Sequence, residues 1–563
     1  MDWKKILNIT SEEIKFIFKI SFIVTIIVFI PYFYGYFKTP SNYIFLGLHL
    51  TPGDIAVYRS YIEQVKNGNW IFENLFHNEF PPEKNFNLFW LAIGILAKYF
   101  HFSSFWIFHI IKIILIPICL LSLYGLISFF FQNKTKRKLT FILTVFTSGL
   151  SGIFLPIFQN IYYSDESRGY YHLPMDLWVP ESNVFLTLYH SPHFIASLTC
   201  LLLIFLFFLL SLKKNAKYSL IGGMIALFFF NFHPFYIITV FGVISIFLFL
   251  LLLQKEKKLF KSGIKSIFII GFLSFPSIFY HLLQTFLNPL IRQKAKQNIC
   301  ATPHFLLTLI SYSPFIFLAF GALVCSILIF RKSTTDYMQS SLKNFKTLFL
   351  FSWFIGGMIL IYLPFIPFQR RLSEGLQIPI IILSVSLIAY FFKKIPKNKT
   401  SSFYFKNPYL FYITIAIIFS FLVSSNLFVL FNGLEQLSQN TNYFPKKPII
   451  FIKNRISPEK TILSHYVFGN FIPGLTGRRV FAGHWAETYK FQNKKEKIIW
   501  FFKNNNNDKI KKTFLKKFQI DYIYYGPLEK SLGNFNPEEK KYLKKIFQED
   551  DISIYQVILN ENL

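Results

Sequence analysis

From Phe16 to Phe431 the chain alternates long apolar stretches with short polar ones, and after Asn432 that alternation stops. A stretch of about 20 apolar residues is the length that crosses a bilayer core as a helix. Such stretches lie at about Phe16–Tyr36, Phe105–Phe131, Leu139–Phe158, Phe194–Leu212, Ile264–Leu283, Phe305–Phe330, Leu348–Phe365, Ile378–Phe392 and Tyr409–Phe431. Tyr218–Leu253 would run roughly 54 Å as one helix against a core of about 30 Å, and Asn231-Phe232-His233-Pro234 interrupts it near the middle, so it predicts two short crossings. Phe86–Phe100 spans only about 15 residues, and counting it as a crossing would put Lys134–Lys138 outside, so it predicts an interfacial or re-entrant helix on the outer face.

Lysine and arginine cluster between these stretches, at Lys134–Lys138, Lys213–Lys217, Lys255–Lys261, Arg331–Lys346 and Lys393–Lys399. The positive-inside rule puts all of these clusters in the cytoplasm, with Lys4, Lys5, Lys15 and Lys19 holding the N-terminus inside. An even number of crossings then separates successive clusters. The outcome is an all-α polytopic bundle of about 11 transmembrane helices over residues 1–431, with outer loops 37–104 and 159–193. Residues 432–563 would lie outside. There, β-type runs at Thr461–Ser464, Arg479–Ala482, Asp521–Tyr525 and Ile552–Leu559 alternate with helical segments at Lys494–Lys503 and Lys509–Phe518, predicting a small α/β extracytoplasmic domain.

Composition supports a membrane class: 53% of residues are hydrophobic and 20% aromatic, and the mean hydropathy is +0.41. These values lie outside the soluble range. The net charge of +31 would suggest nucleic acid in a soluble chain; loop lysines account for it here, so the partners expected are membrane lipids and no nucleic acid. Cys119, Cys200, Cys300 and Cys325 are scattered without a metal-type or paired spacing, which argues against a disulfide framework.

Thr51–Asn85 is the long hydrophilic interruption after the first crossing. Tyr58, Tyr61, Ile62 and Val65 have amphipathic-helix spacing, with Thr51 as N-cap, Asp54 in the first turn and Gly68 as the stop. Asp54 is either a dipole-favoured first-turn acid or a base at the mouth of the bundle. Basic residues on the outer side break the positive-inside pattern and are informative for that reason. The candidates are Arg370 and Arg371, which could instead pair with Glu374, together with Arg292, Lys294 and Lys296, and Lys112 one turn after His109. Glu181, His190 and His193 belong to the second outer loop and its end. Asp54 with Asp165 and Glu166 would offer the hard oxygens that Mg²⁺ or Mn²⁺ accepts, although no DxD pair occurs in either outer loop. Trp485, in a glycine-punctuated stretch, is either packing or a platform for a sugar.

A first crossing, a long outer loop with an acid at its start, a short helix after it, many crossings and an outer C-terminal domain together resemble the GT-C family of integral membrane glycosyltransferases. GDIAVYRSYIEQVKNG, YHSPHF, FQRRLSEGL and GNFIPGLTGRRVFAGHWAET are similar to segments of bacterial polytopic membrane proteins of this type. The resemblance implies transfer of a sugar from a polyprenyl-phosphate donor to an acceptor glycan, lipid or protein on the outer face of a bacterial inner membrane. Asp54 would be the catalytic base, and Lys112, Glu181, His190, His193, Arg370, Arg371 and Trp485 the substrate contacts, with Asp54, Glu181, His193 and Arg370 converging on one cavity. The alternatives are a lipid or polysaccharide flippase or transporter, and a catalytically silent GT-C-like binding protein.

Overall fold

The computed structural model describes residues 7–47, 52–80, 82–159, 173–332, 344–394, 416–438 and 442–559. Thr51, Asp165, Glu166 and the basic residues Lys4, Lys5, Lys397 and Lys399 lie outside them. The chain is mostly helical, with a small sheet near its C-terminus. Among the described residues seven helices are long and apolar enough to cross a membrane, and two bent pairs bring the count to nine. Two shorter apolar helices, Lys217–Phe232 and Phe345–Leu360, stand where two more crossings were expected. The chain is therefore a multi-pass membrane protein. Lys217–Phe232 and Tyr236–Leu253 meet at His233-Pro234, as the length of that stretch requires. The short helix after the first loop is Leu88–Tyr99, capped by Asn87, whose side chain accepts from Trp90 N at 3.2 Å.

The chain divides into two compact units: residues 1–30, 112–281 and 299–433, and residues 31–111, 282–298 and 434–563.

In the first unit, the start of the first span is closed by a reciprocal cap. Thr10 N donates to Glu13 Oε2 at 2.8 Å, and Glu13 N donates to Thr10 Oγ1 at 3.4 Å. Glu13 is buried and also receives Tyr124 Oη at 2.7 Å and Arg137 Nη1 at 3.2 Å, so one ion pair ties three helices together.

Three helix breaks in this unit escape the hydropathy pattern. Lys134–Phe146 stops and resumes as Ser151–Gln159. Phe305–Ser311 bends 96° into Phe315–Leu328, and Ala416–Leu422 bends 62° into Ser424–Leu437. The freed backbone groups satisfy one another, as they must inside a membrane protein. Ser148 N donates to Leu422 O at 2.7 Å and Leu150 N to Ile310 O at 3.3 Å. Gln377 Nε2 donates to Thr147 O, and Asn426 Nδ2 to Phe146 O, both at 2.8 Å. Gly149 is required here: a Cβ would stand 2.4 Å from Ser311 O.

In the second unit the first-loop helix is Pro52–Lys66, and Gly68 stops it at φ +101°. Its burial differs from the one-sided stripe expected: Ile55, Ala56, Val57, Arg59, Ser60, Ile62, Glu63, Gln64 and Val65 are all buried. The reason is that its polar groups find partners within the unit. Arg59 Nη1 donates to Leu46 O at 3.0 Å, and Lys453 Nζ meets Glu63 at 2.7 Å.

The sheet has five strands, β1 (Thr461–Leu463), β2 (Arg479–Val480), β3 (Tyr522–Tyr525), β4 (Leu543–Glu549) and β5 (Ile552–Val557), in the order β2-β1-β3-β5-β4. β1 is parallel to both β2 and β3, while β5 is antiparallel to β3 and β4. Helices Phe491–Lys503 and Asp508–Lys517 cross between β2 and β3. Their Phe501, Phe502, Phe514 and Leu515 pack with Phe481 and Ile523 into one core.

Candidate active site

Asp54 lies in the first turn of Pro52–Lys66, where backbone N–H groups point outward and favour an acid. Its side chain is 44% exposed, and Oδ1 lies 2.9 Å from Nε2 of His484, which is 4% exposed. Ala486 N donates to His484 Nδ1 at 3.2 Å. That bond assigns the tautomer: Nδ1 accepts, so in the neutral ring Nε2 carries the proton and donates it to Asp54.

The His484 turn is pinned from below. Thr488 N donates to His484 O at 2.8 Å, Gly483 N donates to Thr488 Oγ1 at 3.0 Å, and Thr488 Oγ1 donates to Phe76 O at 2.8 Å. Trp485, beside it, is 47% exposed, with its ring 5.9 Å from that of His484. The imidazole that meets this half-exposed carboxylate is thus followed in the chain by an exposed indole.

The first loop and the C-terminal sheet are stitched together around this point. Val480 N donates to Leu75 O at 2.9 Å, His77 bridges Ala482, and Arg479 Nη2 meets Glu73 at 2.6 Å. Burial pushes the His77 imidazole down to about 3, which keeps it neutral. Lys294, on the Pro289–Gln297 helix, lies 3.0 Å from Glu83 Oε1 and 2.7 Å from Glu487 Oε2. Lys294 is therefore paired with two carboxylates. Arg292 Nη1 donates to Thr285 O at 3.3 Å.

The other expected residues belong to the first unit. Glu181 lies in the 3₁₀ turn Pro180–Ser182, and Arg370 and Arg371 in the turn Gln369–Ser373. Ser191 Oγ and His193 Nδ1 are 2.7 Å apart, and the His193 and His233 rings 5.0 Å apart. Arg371 stands near enough to both histidines for its charge to reach them, and Glu181 likewise to Glu374 and Tyr236. Arg370 covers the Trp178 ring at 4.4 Å and Arg371 the Phe235 ring at 4.9 Å. Glu374 accepts from Tyr236 Oη at 3.0 Å, so its partner is that phenol. His190 packs edge-on against Phe194 at 5.1 Å. Lys112 is fully buried and donates to Tyr189 O at 2.5 Å, with its ammonium 5.0 Å from the Phe29 ring.

Asp176, which carried no role in the sequence, is fully buried in the first unit near Ser151, Ser311 and Ser425, beside the helix breaks. Burial pushes its carboxyl up to about 6. Among the described residues no three His, Cys, Asp or Glu side chains are grouped as metal ligands. Asp54 and His484 would offer a metal one oxygen and one nitrogen.

With 12% identity and a TM-score of 0.50, the chain is similar over 92% of its length to 70% of the archaeal oligosaccharyltransferase AglB from Archaeoglobus fulgidus, solved with an inhibitory peptide and a dolichol-phosphate. It has the fold of the GT-C membrane glycosyltransferases. The same enzyme in complex with Zn and sulfate matches 88% of this chain and 67% of its own at 11% identity and TM-score 0.47. Arabinofuranosyltransferase AftD from Mycobacteria matches 96% of this chain and 42% of its own at 10% identity and TM-score 0.46. No family model matches, and no curated protein does. His484 was missed as a site residue because its partner is 430 positions away. The only local hint was the glycine-rich turn around it.

Proposed function

We propose that this GT-C-fold protein is a membrane glycosyltransferase that moves a sugar from a polyprenyl-phosphate donor to an acceptor on the outer face of a bacterial inner membrane. The observation that carries the reading is the half-exposed Asp54 carboxylate, in contact with a buried imidazole. Asp54 takes the acceptor proton as the acceptor oxygen or nitrogen attacks the anomeric carbon. The bond to the donor phosphate breaks, and the phosphate leaves as an anion that needs no general acid. Arg370 and Arg371, with Lys112, hold the developing phosphate charge, and Glu181, His190 and His193 shape the polar wall around it. Trp485 stacks on an acceptor sugar. A divalent Mg²⁺ or Mn²⁺ on Asp54, Asp165 and Glu166 would add charge neutralisation.

The buried Asp176 beside three broken helices favours a second reading, a flippase or transporter, since broken helices around an ionisable group are the usual transport architecture. Proteoliposomes carrying radiolabelled polyprenyl-phosphate sugars separate the two. Label recovered in an acceptor supports transfer. Label that changes leaflet while staying on its lipid carrier supports the flippase instead.

A further inference from the structure

We propose that Asp176 is the anionic ligand of a Na⁺ site completed by the hydroxyl oxygens of Ser151, Ser311 and Ser425, where three broken helices of the first unit meet. Such a site stands apart from the transferase reading and does not depend on it. Each break contributes one serine: Ser151 opens the helix that resumes after Phe146, Ser311 ends the helix before the 96° bend, and Ser425 follows the 62° bend. All three are buried, and Asp176, on the turn Met175–Leu177, is buried completely. The hydroxyls stand near enough to act on its charge. Even so, neither carboxylate oxygen accepts a hydrogen bond among the described residues. Ser311 Oγ donates to Leu307 O at 2.8 Å and Ser425 Oγ to Gly149 O at 3.1 Å, so both protons are engaged by carbonyls. Met175 N donates to Ser311 Oγ at 2.8 Å and Gly152 N to Ser425 Oγ at 2.9 Å. One lone pair remains on each oxygen, and the Ser151 hydroxyl, with no hydrogen bond of its own, is free to turn an oxygen lone pair inward.

Oxygens alone make a site for a hard cation, and broken membrane helices are a usual setting for bound Na⁺. With its carboxyl near 6, Asp176 is mostly ionised at pH 7, and a charge buried this deeply needs a counter-ion. One carboxylate balances one monovalent cation, whereas Mg²⁺ or Ca²⁺ would leave net positive charge in the interior. Full burial favours Na⁺ over the larger K⁺. The close approach of the breaks is built into the chain: a Cβ on Gly149 would stand 2.4 Å from Ser311 O, and one on Gly152 2.7 Å from Ser424 O.

The test uses the full-length protein in detergent at pH 7, with NaCl exchanged for choline chloride at constant ionic strength. Expected for the wild type is a saturable rise in melting temperature of about 3–6 °C in NaCl, because an ion that binds only the folded chain stabilises it. Asp176→Asn should melt equally in the two salts, and above the wild type in choline chloride, since it removes the buried charge. Ser151→Ala deletes a hydroxyl that makes no other hydrogen bond. It should therefore melt like the wild type in choline chloride and need about 10-fold more Na⁺ for the half-maximal rise. Radiolabelled Na⁺ should be retained by the wild type, chased by unlabelled NaCl, and not retained by Asp176→Asn. Equal melting of the wild type in the two salts, a sodium response kept by Asp176→Asn, or a rise as large with KCl or MgCl₂ in place of NaCl overturns the assignment.

Discussion

Replacing Lys294 with Met should loosen the second unit, because it leaves two carboxylates facing each other without their cation. Lys294 is 27% exposed, and its partners Glu83 and Glu487 are 7% and 16% exposed. Asn74 Nδ2 lies 3.2 Å from both acids, and it cannot neutralise either. Breaking a buried pair costs about 3–5 kcal/mol, mostly from the charge left behind. The partial exposure of Lys294 puts the expected loss at the lower end, about 3 kcal/mol. For a unit of this size that is a fall in melting temperature of roughly 6–12 °C. The effect should depend on pH in a definite sense. Lys294 holds Glu83 below the usual carboxylate range, so this stabilisation is complete above about pH 4.5 and fades as pH falls through the depressed value. The two acids hold Lys294 well above its ordinary value, so the alkaline loss comes only far above pH 10. Thermal unfolding in detergent, followed by tryptophan fluorescence, reads this out. Lys294→Arg should keep most of the stability, and Glu83→Gln should restore part of it in the Lys294→Met background. Wild-type melting of Lys294→Met at pH 7, or an equal loss at pH 7 and pH 4, would refute the reasoning.

His77 is buried neutral with its imidazole near 3; the unfolded chain binds its proton near 6.5, so this group costs stability as pH falls. His77→Gln should therefore be less sensitive than wild type by about 2 kcal/mol between pH 7 and pH 5 in the same melts. Asp176 has the opposite sense. With its carboxyl near 6 when folded, the penalty for ionising it appears as pH rises from about 4 to 6 and is constant above, so Asp176→Asn should raise stability by up to about 3 kcal/mol at pH 7 and leave it unchanged at pH 4. Cysteines placed at the exposed Asn67 and Asn506 should both react with an impermeant maleimide in intact cells; protection of one with labelling of the other would break the proposed topology.

Most spans were legible because length and apolarity decide them, and the break at His233-Pro234 was legible because Tyr218–Leu253 is too long for one crossing. The breaks after Phe146, at Tyr312–Pro314 and at Val423 were not. Their polar backbone is satisfied by neighbouring helices, as in Ser148 N to Leu422 O, and such a bond leaves no periodicity in the sequence. Four of the five sheet strands were read from their β-branched and aromatic runs. β4, LKKIFQE, was not read, because its adjacent lysines interrupt the apolar alternation of a strand that only its pairing with β5 defines. Asp54 was a candidate from its loop alone, whereas its contact with His484 needed the fold to bring the two together. The ion pairs of Lys294 were not legible because its partners, Glu83 and Glu487, lie 211 and 193 residues away.

The central claim is that Asp54 removes the acceptor proton, and Asp54→Asn tests it most directly, because Asn keeps the size, the first-turn position and an oxygen for His484 while losing the basic carboxylate. Purified wild type and Asp54→Asn should be compared with a radiolabelled polyprenyl-phosphate sugar and a glycan acceptor, after matched melting curves establish that both are folded. The account predicts a loss of turnover of about 10²-fold or more in Asp54→Asn. Equal transfer by the two proteins would contradict it.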